Sequence, residues 1–333
     1  MAWEEAKPIL RPEGVHMGIM QVDKDLCTSC GLCIQNCPFR AWEMGEDEYP
    51  KLKAEYECFS CYNCMVACPV EAISIGEQYH VDSGFWVTDP HPLPAKMPLS
   101  PKDADGNSTE WNTIESAIYE RRSVRNFKED PVPESYIRRV LEAGRFAPSA
   151  GNCQPWKFTV ITDKALMKEI DEAVWGVING IYTMFKNDDT VEQMAGMVDP
   201  ANPGLFDPRL ALGGMGSIAR KYGPPLLNAP AVILILGDSR SIGGPQINVG
   251  ICGQNMNLVA NSLGIKSCWV GFVATLHMVP NFVEEKLGIK PPWQIISSLV
   301  MGWPEFKQEG IVPREYRPVT WYRDGAEGPE IEE

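Results

Sequence analysis

The sequence predicts an α+β protein: a small cysteine-rich module followed by a larger mixed domain. Three observations carry this expectation. Two cysteine runs of one spacing stand near the N-terminus. A proline-rich stretch follows them. Beyond it, helical and strand periodicities mix without the strict alternation of a parallel α/β fold.

The chain has 333 residues, long enough for two domains. Its hydrophobic content of 44% suits packed cores. The formal net charge of −14 argues against general nucleic-acid binding, which needs a basic surface. No apolar run reaches the length of a membrane span. The opening "MAWEEAKPILRPEG" is acidic and proline-punctuated, unlike a signal peptide, so the expected location is the cytoplasm. Residues 1–16 read as an N-terminal extension.

Eight of the 11 cysteines lie in "CTSCGLCIQNCP" at 27–38 and "CFSCYNCMVACP" at 58–69. Both runs read Cys-x2-Cys-x2-Cys-x3-Cys-Pro. A tetrahedral zinc site usually draws on two separated cysteine pairs. Three thiols crowded into one short loop suit a cubane, whose irons occupy different corners. In two-cluster proteins with this spacing, the fourth cysteine serves the other cluster. Residues 17–80 resemble a bacterial-type two-cluster ferredoxin, and "GLCIQNCPFRAWEM" echoes "YNCMVACPVEAISI" as an internal repeat. The resemblance implies one [4Fe-4S] cluster on Cys27, Cys30, Cys33 and Cys68. It implies a second on Cys58, Cys61, Cys64 and Cys37. A structural zinc module is the alternative. The module, taken as residues 17–84, would pass single electrons and has nothing for substrate chemistry.

Residues 85–110 read as a connector. "TDPHPLPAKMPLSP" has five prolines, and the polar "KDADGNST" follows. His91 is expected to be an exposed linker residue. The second domain, residues 111–333, opens on a helix carrying Ile114, Ala117 and Ile118, with Ser108 and Thr109 as cap candidates. A second helix starts near Pro133, with Ile137, Val140 and Leu141 on one face. "KFTVIT" is a strand, and the next helix is capped by Asp163. "AVILILG" is a buried strand. "CGQNMNLVANSLG" is a helix stopped by Gly264, and "KSCWVGFV" and "QIISSLVMGWP" are further strands. Trp156 and Phe158 are expected in the core.

"RRSVRNF" places Arg121, Arg122 and Arg125 beside Ser123 at a helix end. Arginine forks and a hydroxyl suit a phosphate. A solvated basic turn, balanced by Glu120, Glu129 and Asp130, is the other reading. This motif is followed by "APSAGNCQPWKF" at 147–158, "GQNMNLVANSLGIKSCWVGF" at 253–272, "MGWPE" and "VPREYRPV". Together these make residues 111–320 resemble the nitroreductase family of FMN-dependent oxidoreductases. The resemblance implies a nitroreductase-like FMN-binding fold behind the ferredoxin module.

Its motifs assign roles to residues. Arg121, Arg122, Ser123 and Arg125 would hold the FMN phosphate and ribityl chain, completed by Arg314 and Arg317. Pro148, Ser149, Ala150 and Asn152 would reach the flavin from the partner subunit of a homodimer. Gln254 would bind nearby. Val270, Gly271 and Phe272 would lie against the ring, with a Gly271-side backbone N–H near N5. Donors aimed there stabilise reduced flavin.

Residues 175–227 exceed a minimal family member and read as a lid or pocket wall, with Tyr182, Phe185 and Phe206 as candidates. Packing along a dimer surface is the alternative. Within them, Gly214, Gly216 and Ala219, with Asp238 further on, imitate a dinucleotide fingerprint. The intervening "YGPPLLNAP" argues against the helix such a site requires.

The expected function is an iron–sulfur flavoenzyme. Two [4Fe-4S] clusters feed FMN, which reduces a small organic acceptor such as a nitroaromatic, a quinone or an activated alkene. The alternatives are an electron carrier serving a protein partner and a reductase that oxidises NAD(P)H. The donor would be an external ferredoxin or NAD(P)H. Oxygen-sensitive clusters suggest an anaerobic or low-oxygen setting. Cys153, Cys252 and Cys268 are expected to be structural, and His277 to lie in a surface turn.

Overall fold

Why the second domain needs helices on both sides of a sheet is visible in one strand. The run "AVILILGD" is apolar at nearly every position, so both of its faces must be covered. The computed structural model describes residues 2–53, 58, 60–87, 97–308 and 310–332. His91 and most of the proline-rich stretch lie outside the described residues.

The N-terminal part holds α1 (Trp3–Leu10), β1 (Val15–His16), β2 (Ile19–Val22), α2 (Leu32–Asn36), β3 (Trp42–Met44) and β4 (Pro50–Leu52). It continues with α3 (Asn63–Ala67), β5 (Ile73–Glu77) and β6 (His80–Val81). All its strand pairs are antiparallel: β1 with β6, β2 with β5, and β3 with β4. The internal repeat is structural. Helices α2 and α3 each follow a left-handed residue, Gly31 (φ 72°) and Tyr62 (φ 58°). Each ends on a cysteine in extended conformation, Cys37 and Cys68.

The second domain holds α4 (Thr113–Glu120), α5 (Glu134–Arg145), β7 (Trp156–Ile161), α6 (Lys164–Lys186), α7 (Asp188–Val191) and α8 (Met215–Ala219). Then come β8 (Ala231–Asp238), α9 (Pro245–Ser262), β9 (Lys266–Val270), β10 (Trp293–Gly302) and the hairpin β11 (Val319–Trp321) and β12 (Glu330–Glu332). Strands β7, β8, β10 and β9 form one antiparallel sheet in that order. Alternate side chains point to opposite faces. Val232, Leu234 and Leu236 therefore join the core with α6 and α8, and Ala231, Ile233 and Ile235 the core with α5 and α9. The α5–α9 crossing is close: a Cβ on Gly144 would lie 2.9 Å from the Met256 sulfur and 3.0 Å from that of Cys252.

Several details differ from the sequence expectations. Asn112, rather than Ser108 or Thr109, caps α4, accepting from the Ile114 and Glu115 N–H groups in a capping box with Glu115. None of α4's residues is buried, so its apolar stripe faces outward within one chain. Asp163 caps α6 as expected. That helix runs 23 residues, well into the 175–227 segment. "GFV" leaves the strand and turns into a 3-10 helix, Gly271–Met278. Residues 209–219 are helical throughout, so the dinucleotide-like glycines lack the strand and turn that a phosphate loop needs.

The 175–227 segment is a platform for the N-terminal part. Helix α1 buries Ala6, Ile9 and Leu10 against it, in one core with Phe185, Val191, Met194 and Phe206. Arg11 donates to the Phe185 carbonyl (2.6 Å) and pairs with Asp188 (2.9 Å), and the Trp86 indole donates to Ile9 O (2.9 Å). Phe185 and Phe206 are thus core residues, and Tyr182 Oη accepts from Arg220 (3.1 Å). Their bulk serves packing between α1 and this segment, which corrects the expectation that they line a pocket.

Candidate active site

The cysteine module meets the second domain where the cysteines are densest. Asn126, within the arginine motif, donates to Gln35 O (3.3 Å) and Asn36 Oδ1 (3.2 Å). Asn36 is 1% exposed, also accepts from Gln308 Nε2, and takes a bond on its own carbonyl from Asn63 Nδ2 (2.6 Å). This buried amide hub joins both cysteine helices to the second domain. Arg40 Nε donates to Tyr222 O (3.4 Å), and Arg209 stacks on the Tyr79 ring.

The thiols fall into two groups. Cys37, Cys58, Cys61 and Cys64 line one small cavity with Trp42 and Tyr62. Burial, followed by the charges of Cys61, Cys37 and Cys58, raises the Cys64 thiol well above its ordinary range. Cys33 is pushed up to about 11 by burial above all, with Cys30, Cys68 and Cys27 adding to it. Each group is a set of thiols whose charges repel without a cation between them. Backbone N–H groups point at the sulfurs in matching places. Ala41 N–H donates to Cys37 (3.3 Å) and Ala72 N–H to Cys68 (3.2 Å). Cys30 is exposed, whereas Cys33, Cys37 and Cys64 are buried.

Next to the buried group lies a cavity of about 220 Å³. One wall is Arg125, Cys268, Trp269, Val270, Gly271 and Phe272. Pro38 and Phe39, which directly follow Cys37, form another. Leu210, Gly214, Ser217, Ile218 and the 223–227 turn supply a third, so the long segment is a pocket wall through residues other than the expected aromatics. Nothing lies within 4 Å of a Cβ built on Gly271. The approach of β9 to α9 depends on another glycine, because a Cβ on Gly253 would sit 2.0 Å from the Trp269 ring.

Arg125 belongs to both domains. It lines this cavity and also the crevice that holds Cys37, Pro38 and Asn126. Burial disfavours its charge, but Cys268, Cys61 and Cys37 hold its guanidinium above its ordinary range.

A second cavity of about 340 Å³ is lined by Arg121, Gln254, Arg314, Tyr119, Tyr316 and Met97 among others. Burial, then the nearby Arg314, pulls Arg121 below its ordinary range, and its buried Nε has no hydrogen-bond partner. Arg121 and Arg314 are the residues here that could hold an anion, with Glu315 also in the lining.

Other expected residues are placed differently. Arg122 is 8% exposed and donates to the carbonyls of Glu120 and Gly310, tying down the C-terminal arm. Ser123 bridges to Ser267, and Val124 N–H donates to Ser267 O (3.1 Å), which aligns the arginine motif with β9. Arg317 pairs with Glu315 (2.5 Å) and is not among the residues lining the anion cavity. Pro148, Ala150 and Asn152 are exposed and Ser149 is half-buried, on a loop with left-handed Gly151, Asn152 and Gln154. None of them lines either cavity. His277 is exposed, its Nδ1 2.8 Å from Ala274 O. Pro38, Phe39 and the 223–227 turn had no signal in the sequence beyond proximity to Cys37 and a proline pair.

The sequence comparisons agree with this architecture. A nitroreductase family profile matches residues 118–303, and a 4Fe-4S dicluster domain profile matches residues 19–73. The first covers more than half of the chain, and the chain belongs to the nitroreductase family. It is an oxidoreductase of that family with a 4Fe-4S dicluster domain at its N-terminal end.

Among its relatives is a "Putative NADH dehydrogenase/NAD(P)H nitroreductase" of Archaeoglobus fulgidus, 26% identical over 58% of this chain and 86% of that one. A "5,6-dimethylbenzimidazole synthase" of Rhodospirillum rubrum is 27% identical over 60% of this chain and 85% of that one. An "NADH dehydrogenase" of Thermus thermophilus is 46% identical over only 18% of this chain, which spans 30% of that relative's length. A solved nitroreductase with bound FMN from Desulfitobacterium hafniense superposes with a TM-score of 0.47 at 21% identity, covering 62% of this chain and 96% of that one. Among the described residues, no helix is long and apolar enough to cross a membrane.

Proposed function

We propose that the chain is an iron–sulfur flavoenzyme that passes electrons from two [4Fe-4S] clusters to FMN and on to a small organic acceptor. One observation carries the reading. Pro38 and Phe39, the residues after Cys37, share a cavity with Arg125, Val270, Gly271 and Phe272. A cysteine loop that forms a wall of the flavin pocket serves as an electron inlet.

The donor sets fit both groups. Cys58, Cys61, Cys64 and Cys37 form the inner ligand set, and Cys27, Cys30, Cys33 and Cys68 the outer one. Neighbouring thiolates that repel one another, with N–H donors aimed at sulfur, suit a cationic iron core. Exposed Cys30 makes the outer set the entry point for electrons from an external carrier. Arg121 and Arg314 hold the FMN phosphate, and Arg125 faces the ring, where its cation offsets negative charge. The backbone at Gly271 leaves room for a flat ring. FMN, when bound, takes electrons singly and delivers them as a hydride. The apolar wall from Leu210, Ile218 and the 223–227 turn keeps water away from that transfer and selects flat, apolar acceptors such as nitroaromatics, quinones or activated alkenes.

A homodimer completes the site. Exposed isoleucines on α4 (Ile114, Ile118) and α9 (Ile247, Ile251) form adjacent apolar stripes for a second copy. The Pro148–Asn152 loop then reaches the partner's flavin.

Cys30→Ala and Cys61→Ala test the electron route. Purified anaerobically, each should lose iron and sulfide but retain FMN. A one-electron ferredoxin-type donor should then reduce the flavin at least ~100-fold more slowly than in the parent. Reduction at the parental rate in cluster-depleted protein would sink the proposal.

A further inference from the structure

Away from both cavities, two of the chain's four histidines meet on one small ribbon. In the β1–β6 pair, His16 lies directly opposite His80, and Val15 opposite Val81. Side chains alternate across a strand, so fully buried Val81 turns inward and the two imidazoles share the outer face. The rings stack with centroids 4.2 Å apart and planes 5° from parallel.

A carboxylate stands at each edge of the stack. Glu77 Oε1 is 4.0 Å from His16 Nδ1 and 3.8 Å from His80 Nδ1. Asp82 is 2.9 Å from His16 Nε2 and 3.6 Å from His80 Nε2. One donor atom from each of His16, Glu77 and His80 lies within 4.8 Å of the others. The side chains are 36% to 56% exposed, so an ion can reach them.

We propose that His16, His80 and Glu77 form a site for a divalent transition ion of the zinc class, with Asp82 orienting the imidazoles from the opposite edge. Two imidazole nitrogens and a carboxylate oxygen are the donors such ions select, and magnesium and calcium prefer all-oxygen sets. The two carboxylates beside the rings bring negative charge that a dication neutralises. A cross-strand pair sets Cβ atoms about 5 Å apart, close enough for two imidazoles to reach one ion. Bond lengths of about 2.1 Å require the rings to splay, each donor to move by roughly 1 Å, and His80 Nδ1 to leave Gln78 O (3.1 Å). Three protein ligands leave a position for water.

The site would act as a clasp. The residue before β6, Tyr79, donates its N–H to Ser60 Oγ (3.1 Å), and Gly18, just after β1, donates to Cys58 O (2.8 Å). Both strands are thereby tied to the loop of Cys58 and Cys61. An ion joining them would fasten the N-terminal strap to the inner cysteine set.

The test uses the full chain with iron, sulfide and flavin loaded. Zinc chloride is titrated in anaerobically, and zinc per chain is measured after gel filtration, beside iron content and the visible spectrum. One zinc per chain and a zinc-dependent rise in melting temperature are expected. His16→Gln, His80→Gln and Glu77→Gln should each weaken zinc binding at least about tenfold with iron unchanged. Equal zinc retention in the parent and in the His16→Gln/His80→Gln double variant would overturn the proposal. So would a parent that retains no zinc at micromolar concentrations.

Discussion

Arg314 illustrates what a single side chain decides. From sequence, Arg314 and Arg317 both claim a phosphate, with Arg317 the stronger candidate. In the folded chain Arg317 pairs with Glu315, while Arg314 shares a cavity with Arg121 and lowers that neighbour's affinity for its proton. Two guanidiniums that line one cavity repel, and an anion bound between them relieves that repulsion. Charge-assisted hydrogen bonds contribute about 1.5–3 kcal/mol each. Arg314→Ala is therefore expected to weaken FMN roughly 10- to 100-fold by fluorescence titration, with cluster absorption intact. Unchanged FMN affinity would remove Arg314 from the site. Arg125 shows the opposite pattern: the sequence assigns it to the flavin, and the fold sets it against Cys37 and Cys61 as well.

Among elements, those with strong periodicity were legible: β7, β8, β10, α5 and the start of α6 all stand where the pattern predicts them. The 175–227 segment was not, because its short helices, two of 3-10 and one of π type, carry no repeating apolar period. Its anchoring also depends on α1, remote in sequence. One tie within it has a pH consequence. Asp171 on α6 accepts from Leu226 N–H (2.7 Å), holding the turn that walls the cavity beside Gly271. Burial raises this carboxyl to about 6. The folded state thus binds its proton more tightly than the unfolded chain does. The associated stability is full below about pH 4 and is lost as pH rises through about 6. Asp171→Asn keeps an acceptor without the charge. It should raise the melting temperature at pH 7.5 by a few degrees, about 1 kcal/mol, with the gain shrinking below pH 6 and vanishing near pH 4. A difference independent of pH would refute this assignment.

For the whole molecule, the decisive feature is that the cysteine module and the long segment wall the cavity beside Gly271, while the C-terminal arm lines the cavity of Arg121. Val312 packs into the cysteine module's core, and Gly310 is held by Arg122. The helical spacing of Ile114 and Ile118 was correct in sequence, but their face finds no core within one chain. Ile247→Glu should place repelling carboxylates across a two-fold interface. The expected result is a monomer by light scattering that has lost most of its FMN, because the partner's Pro148–Asn152 loop is gone. A parent that is monomeric with full FMN would contradict the homodimer.

Sequence alone was enough to read the two cysteine runs, the family, the positions of the sheet strands and the arginine motif. Each of these is written in local spacing, which chemistry or backbone geometry reads directly. The folded chain was needed to show that Phe39 and Gly271 line one cavity, that Arg314 rather than Arg317 shares a cavity with Arg121, and that Phe185 and Phe206 pack with α1. Those outcomes come from contacts between residues far apart in the chain, chosen by burial and charge among many partners that local spacing leaves equal.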